Sequence, residues 1–314
     1  MSSDSQSVPA VYTASAKVNL TLHLLGKRGD GYHLLDSLVA FAGIGDQVEV
    51  VAADGLSLEE SGPGAGAMGA NEDNLVLRAA RLLIERCRPD TGAHIRLEKR
   101  LPIAAGLGGG SSDAAAVLIA LNTLWNCRLE IEALRQLAVA VGADVPVCLF
   151  GRPAWVGGIG EALEAADTLP PVWCVLVNPG VSLSTASVFQ ARSGGFSEPL
   201  RWEVAPVTAC DLANWLALGR NDLQAAACAL EPAIPAVLEA LAATPACLLA
   251  RMSGSGATCF GLYATENEAG KAADLLAAAW PDWWIRAAPL LTGPIERPAA
   301  ACVRADLAER SPAR

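Results

Sequence analysis

The chain has 314 residues, 52% of them hydrophobic and 18% charged, which argues against a disordered polypeptide and for one large domain or two ordinary ones. Its net charge of −10 argues against a general nucleic-acid binder or membrane-surface binder, either of which carries a basic field. Nine cysteines, scattered with neither CxxC nor metal-ligand spacing, read as reduced thiols of a cytoplasmic protein rather than a disulfide framework.

Met1 to Thr13 lacks the basic and apolar regions of a signal peptide, and no apolar run has the length that spans a bilayer. With so acidic a chain, an anionic ligand needs local cations, and Lys17, Lys27, Arg28 and Lys99 are the candidates.

From Ala14 to Gly26 apolar and polar residues alternate, which predicts a strand. Ala16, Val18, Leu20, Leu22 and Leu24 share one face; Lys17, Asn19, Thr21 and His23 share the other. That second face is either wet or, with Lys17 and Asn19 two apart, a holder of an oxyanion. Asp30-Gly31 marks a turn, after which Tyr32 and His33 set an aromatic ring beside an imidazole. Asp36 to Val51 reads as two strands broken near Gly43 to Asp46. Ser61 to Ala70 is Gly/Ala-rich and reads as a loop; Asn71 to Asn74 can cap a helix over Leu75 to Cys87.

A strand pattern over Ala93 to Lys99 leads into Pro102-Ile-Ala-Ala-Gly-Leu-Gly-Gly-Gly-Ser-Ser-Asp113, and an all-apolar helix follows. The glycines therefore lie in a strand-to-helix turn, with Ser111 or Ser112 as the natural N-cap and Asp113 in the first turn. Glycine lets backbone approach a ligand, and free N–H groups at a helix start favour phosphate; a turn in which glycine serves packing alone is the alternative. No Lys follows, so this is not a P-loop, and the acidic residue of a dinucleotide fingerprint is missing. A further helix runs from about Glu130 to Val141. Asp144 follows Gly142 on a connection that Pro146 keeps from continuing as helix, so that on residues alone it is a turn carboxylate. Val172 to Val177 is a short buried strand, and Phe189 reads as a core aromatic. Helices are predicted over Ile234 to Ala243 and Glu266 to Trp280, a glycine turn at Ser253 to Gly256, and a last strand over Trp283 to Ala287.

The stretch Pro102, Gly106-Leu107-Gly108, Gly109-Gly110-Ser111-Ser112 resembles the phosphate loop of the GHMP kinases, the galactokinase, homoserine kinase, mevalonate kinase and phosphomevalonate kinase superfamily. Ala16-Lys17-Val18-Asn19-Leu20 followed by Gly31-Tyr32-His33 is similar to the opening of one branch of that family, and Gly142-Ala143-Asp144-Val145-Pro146 and Arg251 to Phe260 are similar to later elements. The resemblance covers about Ala14 to Leu290. It implies an α+β, two-domain fold: a ribosomal-protein-like nucleotide domain over 1–167, a ferredoxin-like substrate domain over 168–296, and a polar tail, 297–314, beyond the point where family members usually end.

The function it implies is transfer of a phosphoryl group from ATP, with Mg²⁺, to a hydroxyl of a small cytidine diphosphate substrate, with no nucleic-acid or membrane partner. It makes Asp144 the base and Lys17 its partner. The nucleotide side is Asn74, Leu75, Lys99, Pro102, Gly106, Leu107, Gly108, Gly109, Gly110, Ser111 and Ser112; the acceptor side is Asn19, Tyr32, His33, Thr185 and Phe189. No metal ligand is assigned. The alternatives are another small alcohol, of homoserine or mevalonate type, and a nucleotide-binding protein without catalysis.

Overall fold

The computed structural model describes residues 10–65 and 74–298. The elements, numbered in chain order, are β1 Val11–Asn19, β2 His23–Lys27, β3 His33–Ala53, β4 Leu56–Ser61, α1 Leu75–Cys87, β5 Gly92–Glu98, α2 Gly109–Leu124, α3 Ile131–Val141, α4 Val145–Phe150, β6 Ala154–Gly158 and β7 Ala162–Ala165 in the first half. The second half holds β8 Trp173–Asn178, α5 Thr185–Ala191, α6 Ala209–Leu218, α7 Gln224–Leu230, α8 Ala233–Ala242, β9 Leu249–Met252, β10 Cys259–Tyr263, α9 Glu266–Ala279 and β11 Trp284–Pro289.

The first half is built on one long strand. β3 runs for 21 residues and pairs in turn with β1, β2, β5 and β6 in a seven-stranded sheet. The expected break near Gly43 to Asp46 does not occur. A Cβ at Gly45 would lie 2.1 Å from the carbonyl oxygen of Ala14 on β1, and one at Gly43 would lie 2.9 Å from Pro289. The two glycines admit close neighbours to a continuous strand, the other meaning of glycine in a sheet. Helices α1 to α4 bury Val76, Leu83, Val117, Leu121, Val145 and Leu149 in the same core as Val48, Ile95 and Leu97 of this sheet, the one-sided layering of an α+β domain.

The second half folds as a four-stranded antiparallel sheet in the order β11-β8-β10-β9. Numbered within the half this is 4-1-3-2, with α9 returning the chain to β11, the βαββαβ plan of a ferredoxin-like domain. The halves share a core in which Ala16, Val18 and Leu20 of the first meet Leu176, Leu212 and Phe260 of the second. The second half also meets the polar face of β1 and its continuation, where the Ser253 hydroxyl accepts the Asn19 amide and the Arg220 amide donates to His23 Nε2; Lys17, Asn19, Thr21 and His23 are all buried, not wet. Among the anticipated loop and tail residues, 66–73 and 299–314 lie outside the described residues, while Arg297 and Pro298 lie within them. All eight described cysteines are free thiols.

Candidate active site

A cleft of about 850 Å³ is lined from both halves of the chain. Its floor is the glycine turn. Gly106 and Gly108 take the left-handed conformation, with φ of +75° and +63°, and α2 opens at Gly109 with Gly108 as the N-cap residue. The expected serine cap is not formed. Ser112 sits one turn inside the helix, where its amide bonds the Gly108 carbonyl and its hydroxyl donates to the Ser15 carbonyl at 2.8 Å. No side chain caps α2. The first amides of the helix, at Gly109, Gly110 and Ser111, border the cleft at the positive end of the helix, an arrangement that fits a phosphate. Asp113, placed by expectation in the first turn to favour that end, is fully buried and paired with Lys99 instead.

Three strands of contact hold the turn in place. At the bulge between Ser15 and Lys17, β1 leaves its ladder, and the Lys17 amide donates to the Leu107 carbonyl at 2.9 Å. From the second half, Ser253 Oγ donates to the Gly106 carbonyl at 3.0 Å and accepts the Asn19 amide at 3.1 Å. The Asn221 amide group in turn donates to the carbonyls of Met252 and Gly254 at 2.8 and 2.7 Å. The Gly-Ser-Gly turn anticipated at 253–256 thus closes directly on the glycine turn at Gly106.

Beside this floor Lys17 Nζ lies 3.0 Å from Asp144 Oδ2 and donates to Asn19 Oδ1 at 2.9 Å. Asn19 is oriented by its own donation to Ser37 Oγ at 2.8 Å, and that hydroxyl donates to the Thr21 carbonyl. The Lys17 side chain is 7% exposed and that of Asp144 48%, so the carboxylate faces the cleft and the lysine stands behind it. Asp144 occupies the N-cap position of α4. Pro146 does not stop helix here, contrary to expectation; it sits in the first turn of a short new one, where its missing N–H costs nothing.

On the opposite wall the rings of His33 and Phe189 lie 5.3 Å apart with 34° between their planes. Phe189 lines the cleft and, half-buried, also packs against the core of the second half. Burial, then the nearby cations Lys27 and Arg192, hold the His33 imidazole below its ordinary pKa of 6.5, so it is neutral at pH 7 and able both to donate and to accept. Tyr32 stands on the rim, 61% exposed, and Thr185 Oγ1 meets Ser255 Oγ at 2.8 Å.

Not every anticipated residue reaches the cleft. Pro102 and Leu75 line it, whereas Asn74 is buried, caps α1 by accepting the Val76 amide at 2.9 Å, and donates to Glu60. Leu107 is a core residue. Lys99 borders the cleft, but its ammonium is bound to Asp46 and, at 2.6 Å, to Asp113. Asp46 also accepts the amides of Arg100 and Leu101 at 2.6 and 2.8 Å. Sequence reasoning missed Ser37 and Asp46, which nothing in their local spacing distinguishes, and did not foresee that Asp113 meets Lys99. Ser255 was legible only as part of a glycine turn.

The family model described as GHMP kinases N terminal domain matches residues 74–152, and GHMP kinases C terminal matches 208–282. A 4-diphosphocytidyl-2-C-methyl-D-erythritol kinase of Paramagnetospirillum magneticum is 58% identical over 89% of this chain and 98% of its own length. One of Parvibaculum lavamentivorans is 51% identical over 88% and 97%. Among solved structures, a 4-(cytidine 5'-diphospho)-2C-methyl-D-erythritol kinase superposes with a TM-score of 0.74 at 37% identity, covering 90% of this chain and 99% of that one. A homoserine kinase from Cytophaga hutchinsonii superposes at 0.65 with 17% identity, over 93% and 98%, a likeness of fold alone.

Proposed function

The chain belongs to the GHMP kinases, and we propose that it phosphorylates the 2-hydroxyl of 4-diphosphocytidyl-2-C-methyl-D-erythritol with ATP, a step of the methylerythritol phosphate route to isoprenoid precursors. The observation that carries the reading is the Lys17–Asp144 pair, 3.0 Å apart, set between an uncapped glycine turn and the His33–Phe189 ring pair. That is one group to take a proton, one cradle for phosphate and one aromatic wall for a planar base. Relatives up to 58% identical carry the same activity in their names.

In this reading the amides of Gly109 to Ser111 hold the nucleotide phosphates, with Gly106, Gly108 and Pro102 shaping the turn and Leu75 on its flank. Asp144 takes the proton of the acceptor hydroxyl as the oxygen attacks. Lys17 orients the hydroxyl and offsets charge that grows on the transferring group. Asn19 fixes Lys17 through the bond already described. His33, Phe189 and Tyr32 recognise cytosine by stacking and hydrogen bonding, and Thr185 closes the acceptor side with Ser255. Asn74, Leu107, Lys99 and Ser112 act through their neighbours, holding the turn instead of touching the nucleotide. Mg²⁺ would enter on the phosphates and neutralise them; among the described residues no group of three His, Cys, Asp or Glu side chains stands ready to hold it. We place the division between nucleotide and substrate halves at 167/168. No helix among the described residues is long and apolar enough to cross a membrane.

The test is ADP release from Mg²⁺-ATP with 4-diphosphocytidyl-2-C-methyl-D-erythritol, with homoserine and mevalonate in parallel. Turnover confined to the cytidyl acceptor supports the reading. Turnover with another alcohol, or none with any, removes it.

A further inference from the structure

We propose that residues 291–297, beyond the last strand, form a strap that positions Asp144, and that Arg297 is its operative residue. The proposal rests on the assignment of Asp144 as the base. Asp144 makes no side-chain capping bond of its own, and its carboxylate pairs with Lys17 alone among the ion pairs of the described residues. Its place is therefore inherited from the backbone of α4. That helix has six residues, too few to hold its shape unaided, and its last carbonyls need partners from elsewhere.

The strap supplies one of them and holds the C-cap residue as well. Arg297 Nη2 donates to the Leu149 carbonyl at 2.5 Å, and the Ile295 amide donates to the Gly151 carbonyl at 2.6 Å. A guanidinium at the carboxyl end of a helix also complements its dipole. The guanidinium lies against Gly151, where a Cβ would come within 3.2 Å of it. At the strap's other end, the Leu290 amide bonds the Val172 carbonyl at 2.9 Å and the Leu291 amide bonds the Phe41 carbonyl at 2.8 Å. The segment thus ties the centre of the molecule to the end of α4 opposite Asp144.

It also covers the point where the base helix meets the phosphate helix. Ser112 of α2 lies 3.3 Å from Cys148 Sγ of α4. Ser112 and Cys148, with Ile295 and Arg297, enclose a void of about 30 Å³, room for about one water molecule. In-line transfer depends on the spacing between base and phosphate cradle, and α4 and α2 set that spacing at this junction. Arg297 touches no reactant. It is a positioning residue.

Four forms of the full enzyme test this: wild type, Arg297→Gln, Arg297→Lys, and a chain ending after Pro298. The shortened chain keeps the strap and should match wild type. Arg297→Gln should lower kcat about three- to tenfold with KM for both substrates unchanged, the signature of a misplaced group that does not bind. Arg297→Lys, which restores a cationic donor, should recover most of the loss. Amide exchange over 144–151 reads the strap without the reaction and should quicken in Arg297→Gln. Unchanged exchange there overturns the strap. Quickened exchange with wild-type kcat overturns its link to Asp144. A wild-type enzyme that fails to turn over the cytidyl substrate removes the underlying functional reading, and the exchange rates then decide on the strap by themselves.

Discussion

The hydroxyl of Ser253 donates to the carbonyl of Gly106 at 3.0 Å, and a Cβ built on Gly106 would fall 2.4 Å from the Ser253 carbonyl oxygen. Two glycine turns, one from each half of the chain, therefore fit together only because the first has no side chain at this point. Gly106→Ala meets both that collision and a φ of +75°. It should lower stability by about 1–3 kcal/mol and raise KM for ATP. Gly109→Ala, whose new carbon would find nothing nearer than 3.8 Å, should leave the melting temperature unchanged. Calorimetry on the two variants separates the positions; equal melting temperatures would contradict the argument.

Asp144→Asn should lower kcat by about 10²–10⁴-fold, the range of general-base catalysis, while ATP still binds by titration calorimetry. Lys17→Met should lower kcat comparably. Wild-type turnover in Asp144→Asn would remove Asp144 from the base role.

The Lys99 cluster predicts an asymmetry between two carboxylates. Burial, opposed by Lys99 and reinforced by Asp46, pushes Asp113 up to about 8, so at pH 7 it is largely protonated. Its raised pKa weakens the fold progressively as pH rises from its unfolded value near 3.8 toward 8. Asp113→Asn should therefore be neutral or stabilising at pH 7 and should flatten that dependence. Asp46→Asn keeps one oxygen for the Arg100 and Leu101 amides but loses the oxygen that accepts Lys99, and should cost about 2–4 kcal/mol. Urea titrations at pH 5, 7 and 8.5 check both.

His23 gives the opposite sign. It is buried, accepts the Arg220 amide on Nε2 at 3.1 Å, and has its pKa lowered from 6.5, by burial above all and against the pull of Asp222 and Asp36. His33 is lowered too. The unfolded imidazoles take up protons near pH 6.5 and the folded ones only at lower pH, so stability is complete above 6.5 and declines as the solution is made more acid. His23→Gln keeps an acceptor for Arg220 and should make the decline between pH 7 and 5 shallower.

What the sequence made legible was local. The helix over Leu75 to Cys87 was readable to the residue, because its cap and its apolar period lie within it. The glycine turn ahead of α2 was readable because glycine spacing is itself the signal. The N-cap was misplaced because Gly108 takes a left-handed conformation that lets the helix start early, and no rule of composition foretells it. The continuity of β3 was hidden because Gly43 and Gly45 look like a turn until Pro289 and Ala14 are brought against them. The burial of Lys17, Asn19, Thr21 and His23 depends on strands and loops far along the chain, as does the meeting of Lys99 with Asp46, 53 residues away.

The Asn19 amide waits for a hydroxyl 234 positions later in the chain. On a ribosome, which releases about 5–20 residues each second, the strand bearing Lys17 emerges many seconds before Ser253 exists to bond it. Most of the polypeptide must be made before the glycine turn at Gly106 gains its last support, so the nascent first half carries Lys17 in an unfinished setting. A chain terminated early leaves a fragment that lacks one wall of the cleft.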